Sequence, residues 1–323
     1  MNLQQLRYIQ EIVNQDFNIS RAAQSLYTSQ PGISKQLKIL EEGLGTEIFV
    51  RHGKQLVQLT PAGEKILLQA KDILQKVQNI HSIAQEFSSE HAGDLGIATT
   101  HTQSRYILPG VIKAFMESYP EVNLHMHQGS PAQISRLAAD GTADFAIATE
   151  ALELFNDLVM MPCFHWNRAI LVPRDHPLCQ ESRLTLKSIA AFPIVTYVYG
   201  FTGRSKLDEA FNKAGLAPRV VFTAVDADVI KTYVRLGLGI GILASMAIEK
   251  RDADLVTLDA SHLFEHSTTS IGFRRETYLR SYMMDFIEMF APHLTRGKIE
   301  EAVESHGTSA QGKVFRDLEI PVK

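Results

Sequence analysis

The sequence predicts an α/β protein with an all-α N-terminal piece, and three observations lead there. The first 45 residues carry helical periodicity only. Ile66 to Phe87 repeats apolar residues at helical spacing over an unusual length. Beyond a polar hinge, short apolar runs alternate with helical patterns, which implies mostly parallel sheets with helices on their faces. A chain of 323 residues has room for two or three domains.

The N-terminal piece is organised around Asn18 to Gly45. Ile19, Ala22, Ala23 and Leu26 give one helix an apolar face, with Asn18 or Ser20 as its N-cap. Tyr27 and Thr28 break the pattern. Ser29 caps a second helix, and Pro31 sits in its first turn, where a missing N–H costs nothing. Ile33, Leu37, Leu40 and Leu44 form the stripe expected to be buried, and Gly43 and Gly45 mark the end. Gln30, Ser34, Lys35 and Lys38 fall on the other side. Amides, hydroxyls and amines there suit base edges and phosphates in a DNA major groove. A solvated helical hairpin would show the same spacing. Ahead of this pair, Leu3, Leu6, Ile9, Ile12 and Val13 predict a third helix packed under it.

Order and residue type carry more weight than spacing. Ser20-Arg21-Ala22-Ala23-Gln24-Ser25-Leu26 is followed by Ser29-Gln30-Pro31-Gly32-Ile33-Ser34-Lys35-Gln36, then Leu40-Glu41, Leu44-Gly45, Ile48-Phe49 and Arg51. This resembles the winged helix-turn-helix of LysR-type transcriptional regulators, a motif class that places one helix in the groove. Gly32 and Ile48 depart from the family's usual Ala and Leu. The resemblance implies DNA binding by Ser29, Gln30, Pro31, Ser34, Lys35, Lys38, Arg51 and Lys54. Arg51, His52 and Lys54 sit at the tip of a hairpin made by Phe49-Val50-Arg51 and Leu56-Val57-Gln58-Leu59, the place of the family's wing.

Thr60 caps the next helix, with Pro61 at its first position and Glu64 near its positive end. Its stripe, including Ile73, Val77, Ile80 and Ile83, would lie exposed unless another surface covers it. The family's linker helix implies a homodimer here, or a homotetramer, with promoter DNA and RNA polymerase as partners.

The remaining chain predicts two Rossmann-like lobes. Strands are expected at Asp94–Thr99, Val122–His127, Phe145–Thr149, Arg168–Pro173, Ile194–Tyr197, Val220–Thr223, Gly239–Ala244 and Ser270–Arg274. Helices are expected at Gln103–Tyr119, Pro131–Asp140, Leu186–Ala191, Gly203–Ala214, Ala227–Leu236 and Tyr278–Phe290. This resembles the family's effector-binding half, which is built like a periplasmic solute-binding protein. The expected division is a winged helix-turn-helix over 1–60, a linker helix and hinge over 61–92, and an effector-binding part over 93–323. Within it, lobe I covers about 93–162 and 268–292, lobe II about 163–267, and a tail 293–323.

Ligands of such folds sit where strand ends meet helix N-termini. Thr99 to Tyr106 and Tyr199 to Arg204 are two junctions of this kind, and Thr149 ends a third strand. Trp166, the only tryptophan, lies where the chain crosses between lobes. Singly each threonine reads as a cap or turn residue. Together they suit a small anion or carboxylate. Thr99-Thr100-His101-Thr102-Gln103, with Arg105-Tyr106 and Leu108-Pro109, resembles the cysteine-regulon activator branch of the family. The branch places Thr100, Thr102, Gln103, Thr149, Trp166 and Thr202 around the effector. It implies control of sulfur-assimilation and cysteine-biosynthesis genes, with acetylated serine, sulfate or thiosulfate as small anionic effectors. The paralogue that governs sulfonate-sulfur use shares most of these residues.

Other functions find less support. A net charge of -4 excludes a general polyanion binder and leaves only a local basic patch. Cys163 and Cys179 have no metal-type spacing, and a reduced pair is expected rather than a disulfide. His125, His127, His262 and His266 are too few and too scattered for a metal site. Gly237-x-Gly239-x-Gly241 lacks the dinucleotide fingerprint and reads as tight strand packing. No nucleophile motif appears, and the threonine-rich cleft is poor in titratable groups, so neither an enzyme nor a cofactor is expected. A solute-binding protein would explain the lobes but not the helix-turn-helix. No export signal and no membrane-spanning run is present, so a cytoplasmic location is expected.

Overall fold

The computed structural model describes residues 1–53, 55–88, 92–149, 158–304, 314–316 and 318–323. It forms two compact units, one of Met1–Phe87 with Glu276–Tyr278 and one of Ser88–Arg275 with Leu279–Lys323.

The first unit opens with α1 (Leu3–Asn14), α2 (Ile19–Ser25) and α3 (Gln30–Leu44). Each has a side-chain N-cap: Asn2, Asn18 and Ser29 accept from the backbone N–H of Gln5, Arg21 and Gly32. Leu6, Ile9, Ile12, Ala22, Ala23, Ile33, Leu37 and Leu40 form one core with Ile48, Phe49 and Leu56. Two expectations for α3 are corrected. Gly43 lies inside the helix, which ends at Gly45. Leu44 is exposed, and the buried residue of that turn is Glu41. The hairpin follows as β1 (Phe49–His52) and β2 (Gln55–Leu59), paired antiparallel. The helix α4 (Pro61–Ser88) then runs 28 residues, about 42 Å at 1.5 Å per residue. Its first turns, through Leu67 and Ala70, join the core.

The second unit holds two five-stranded sheets. The lobe I sheet contains β3 (Ala92–Thr99), β4 (Glu121–Gln128), β5 (Phe145–Ala148), β6 (Leu158–Trp166) and β12 (Ser267–Arg274), in the order β4-β3-β5-β12-β6. The lobe II sheet contains β7 (Arg168–Pro173), β8 (Ile194–Tyr197), β9 (Val220–Ala224), β10 (Ile240–Ala244) and β11 (Leu255–Asp259), in the order β11-β7-β10-β8-β9. The chain leaves the first sheet at Trp166, enters the second at Arg168, and returns through β12. Both sheets are mixed: β12 runs antiparallel to β5 and β6, and β7 antiparallel to β10 and β11.

The helices of this unit are α5 (His101–Tyr106), α6 (Leu108–Ser118), α7 (Pro131–Ala139), α8 (Leu186–Ala190), α9 (Arg204–Lys213), α10 (Ala227–Arg235), α11 (Ser281–Phe290) and α12 (Arg296–Glu304). The single helix expected over Gln103–Tyr119 is two, broken at Ile107. Pro109 forces the break, since its ring cannot continue a helix past the Arg105 carbonyl. Of the three glycines expected to pack tightly, two do: a Cβ would collide with the Pro193 carbonyl at Gly239 and crowd Val234 at Gly241, whereas Gly237 has open space around it and a φ of 75°. Both cysteines are free, and burial pushes the Cys163 thiol well above its ordinary pKa. No described helix is long and apolar enough to cross a membrane.

Candidate functional site

Two surfaces gather the residues singled out above. On the first unit, Ser29, Gln30, Pro31, Lys35 and Lys38 are exposed along α3, and Ser34 is half-buried. The Gln30 amide donates to the Ser34 hydroxyl at 3.1 Å, one turn on. Lys38 lies 3.7 Å from Glu42 with both side chains largely in water, so the pair holds it weakly. Arg51 is placed differently from a free wing residue. Its guanidinium donates to the Glu41 carboxylate at 2.8 Å. Glu41 also accepts from the backbone N–H of Ile48 at 2.9 Å and of Phe49 at 3.3 Å. One buried carboxylate thus fixes the wing's first strand against α3. Lys54 lies outside the described residues.

The second surface is the cleft between the two lobes of the second unit. Thr100, Thr102 and Gln103 sit at the turn from β3 into α5 and are buried. Thr202 sits in the turn before α9, buried and with a positive φ of 43°. Thr149 follows β5 and is half-buried, and Trp166 is fully buried at the end of β6. The two junctions meet. Thr102 lies beside the Tyr197 phenol of lobe II, which burial pushes up to about 12. A Cβ on Gly203 would crowd the Trp166 ring at 3.1 Å and collide with the Arg168 guanidinium. Gly203 also has a φ of 72°, so glycine suits this turn twice over.

A hydrogen-bonded chain lines the lobe I wall. The Trp166 indole N–H donates to the Thr149 hydroxyl at 3.2 Å. Thr149 and Thr269 share a bond at 3.2 Å, and the Gln103 amide donates to Thr269 at 3.1 Å. Two hydroxyls that each accept one bond and share one hydrogen leave a second hydroxyl hydrogen over. Against the other face, the buried Arg168 donates to the Gly203 carbonyl at 2.6 Å, the Ser267 hydroxyl at 3.0 Å and the Glu265 carbonyl at 3.1 Å. Its guanidinium stands 5.3 Å from the Trp166 ring centre.

Two polar atoms here are buried without a hydrogen bond: the Gln103 amide oxygen and the Thr202 hydroxyl. Neither the α5 nor the α9 N-terminus carries a side-chain cap. Each buried unpaired group costs about 1–3 kcal/mol, a cost that a bound water or ligand would relieve. The sequence alone does not single out Thr269, Arg168, Ser267 or Tyr197 as site residues. Thr269 lies in the hydroxyl run Ser267-Thr268-Thr269-Ser270, a visible signal, but only strand pairing brings it to Thr149.

Comparison with known proteins matches this architecture on both units. Residues 3–64 match the model of the bacterial regulatory helix-turn-helix protein, lysR family. Residues 88–295 match that of the LysR substrate binding domain. The chain is 54% identical over its full length, and all of the relative's, to the HTH-type transcriptional regulator CysB of Haemophilus influenzae. It is 49% identical to the HTH-type transcriptional regulator SsuR of Burkholderia cenocepacia, covering 93% of this chain and 97% of that one. The crystal structure of the cofactor-binding domain of the Cbl transcriptional regulator superposes with a TM-score of 0.64 at 47% identity, over 66% of this chain and 93% of that one. With a helix-turn-helix on one unit and a two-lobed substrate-binding fold on the other, the chain belongs to the LysR family of DNA-binding transcriptional regulators and is not an enzyme.

Proposed function

We propose that this regulator activates sulfur-assimilation and cysteine-biosynthesis genes in response to N-acetylserine or O-acetylserine bound in the interlobe cleft. The effector would be held by Thr100, Thr102, Gln103, Thr149, Trp166 and Thr202, with Thr269 added to the set. The observation that carries the reading is the pair of buried, unpartnered atoms on Gln103 and Thr202, one on each side of the cleft. They need both donors and acceptors from a ligand. An acetylated serine brings a carboxylate and, as an amide, hydroxyl or ammonium, a donor for the Gln103 oxygen. Sulfate and thiosulfate bring acceptors only, which favours them as competitors rather than as the inducer.

DNA would be bound by Ser29, Gln30, Pro31, Ser34, Lys35 and Lys38 along α3, with Arg51 and Lys54 on the wing. A homodimer through the exposed stripe of α4 suits an operator with two related half-sites, and further contacts would give a homotetramer. RNA polymerase is the expected partner at the promoter, and the cytoplasm the expected location. The proposed division is a DNA-binding part over 1–60, a linker over 61–92 and an effector-binding part over 93–323.

The likeness to SsuR and Cbl supports a second reading, control of sulfonate-sulfur genes with the same fold and cleft. Calorimetric titration of the full chain with N-acetylserine, O-acetylserine, sulfate and thiosulfate tests both, alongside gel shifts on its own upstream DNA and on cysteine-biosynthesis promoters. Saturable binding of an acetylated serine with an altered gel shift supports the first reading. Binding of sulfate alone, with no shift at cysteine promoters, contradicts it.

A further inference from the structure

The helix α5 belongs by connection to lobe I, since it follows β3 directly. Its first turn carries Thr102 and Gln103 into the cleft, and Gln103 ties it to Thr269 of β12. Its last turn does something else. Tyr106 packs on the lobe II core with Phe201, Phe222 and Tyr233. The Tyr106 hydroxyl donates to the Asp228 carboxylate of α10 at 2.9 Å. The Arg105 guanidinium reaches Asp228 at 3.6 Å and Glu249 at 3.3 Å. Round the helix Arg105 lies about 200° from Gln103 and Tyr106 only about 60° from it, so one short rod touches lobe I through Gln103 and lobe II through two different faces.

The acidic partners do not depend on α5. Lys231, 1% exposed, lies 2.9 Å from Asp252, 3.5 Å from Asp228 and 3.8 Å from Glu249. Arg251 lies 3.3 Å from Asp228 and 2.7 Å from Glu249. If Arg105 and Tyr106 withdraw, Asp228 and Glu249 keep two cations each from their own lobe. The contact is also partly open to water, with the side chains of Arg105, Asp228 and Glu249 about a third exposed. An interface with shared partners and ready solvation can open at modest cost, whereas a buried unshared pair cannot.

We propose that Arg105 and Tyr106 form a reversible interlobe latch, positioning residues that hold α5 and therefore set Thr102 and Gln103 for the effector. This deepens, and rests on, the reading of the cleft as an effector site. Ligand binding and latch closure then favour the same arrangement of the lobes, and each strengthens the other.

The test is made on the full-length chain. Spin labels on cysteines replacing the exposed Lys113 of α6 and Lys187 of α8, with Cys179→Ser, report the interlobe distance by pulsed electron resonance. Without ligand, Tyr106→Phe and Arg105→Gln should broaden or shift the distance distribution, while Arg105→Lys should keep that of the parent. Titration should show N-acetylserine binding weakened roughly five- to tenfold in the first two, with unchanged melting temperature. Distance distributions identical to the parent in both Tyr106→Phe and Arg105→Gln overturn the latch, whatever the ligand does. A shifted distribution in a protein that binds no acetylated serine supports the latch and overturns the effector reading instead.

Discussion

The Arg51 guanidinium donates to the Glu41 carboxylate at 2.8 Å, and the same carboxylate accepts the backbone N–H of Ile48 and Phe49. The wing is therefore positioned by the helix that would read DNA. Replacing Glu41 with Ala should cost about 1–3 kcal/mol for each buried amide left unpaired. Glu41→Gln keeps an acceptor and should lose less. Thermal melting with gel shifts checks both, and unchanged melting of Glu41→Ala would show that the carboxylate does not hold the wing.

On α3, Lys38 is held among the described residues by an exposed partner, Glu42, and can turn to a phosphate. Lys38→Ala should weaken binding to every DNA sequence and reduce the slope of log affinity against log salt by about 1. Gln30→Ala should instead relax sequence preference, by about 1–3 kcal/mol at the base pair it reads. Footprinting across a salt series separates these effects.

Along α4, Ile73 and Ile80 are exposed at 39% and 65%, a poor use of isoleucine unless another surface covers them. Ile73→Glu with Ile80→Glu should give monomers in sedimentation and lose tight operator binding. A variant that stays dimeric would place the contact elsewhere.

Acid should act on lobe II. Burial pushes the Asp252 carboxyl up, but bonds from Lys231, the Glu249 N–H and Arg235 outweigh it and hold the carboxyl below its ordinary 3.8. The unfolded chain then binds the proton first, so this stabilisation is full above about pH 4 and fades as pH falls further. Asp252→Asn should flatten that part of the stability curve. At neutral pH it should cost about 3 kcal/mol, as for a broken buried pair. Denaturant titrations from pH 3 to 7 would show it.

Much of the fold was legible because caps, periodicity and turn residues agree. The helices α3 and α4 are capped by Ser29 and Thr60 as the sequence predicts, and of the two candidates for α2 Asn18 is the cap, while the Asn2 cap of α1 emerges only in the structure. The strand β6 was not foreseen, since Pro162 and a run buried on both faces hide any alternation. It is tolerated because β6 lies at the sheet edge, with a bulge where Ser270 pairs Pro162. The strand β11 was also missed. Leu44 and Glu41 exchanged places because periodicity cannot see that two amides and Arg51 converge on one carboxylate. In the cleft, Thr100, Thr102, Gln103 and Thr202 stood out as junction residues, while Thr269 and Arg168 come near only through pairing of distant strands.

Removing one hydroxyl from the cleft tests its division of labour. Thr202→Val and Thr100→Val keep shape and should cost about 0.5–1.5 kcal/mol of effector binding, or up to about 3 against a charged acceptor. Operator binding without effector should not change.

The single tryptophan makes the central claim directly measurable, since Trp166 is buried in the cleft wall and its N–H is bonded to Thr149. Titrating the parent with N-acetylserine should change Trp166 emission saturably, and the same concentration range should alter the footprint on a cysteine-biosynthesis promoter. Emission that stays constant with N-acetylserine and O-acetylserine, while the footprint still responds to them, would place the effector site outside this cleft.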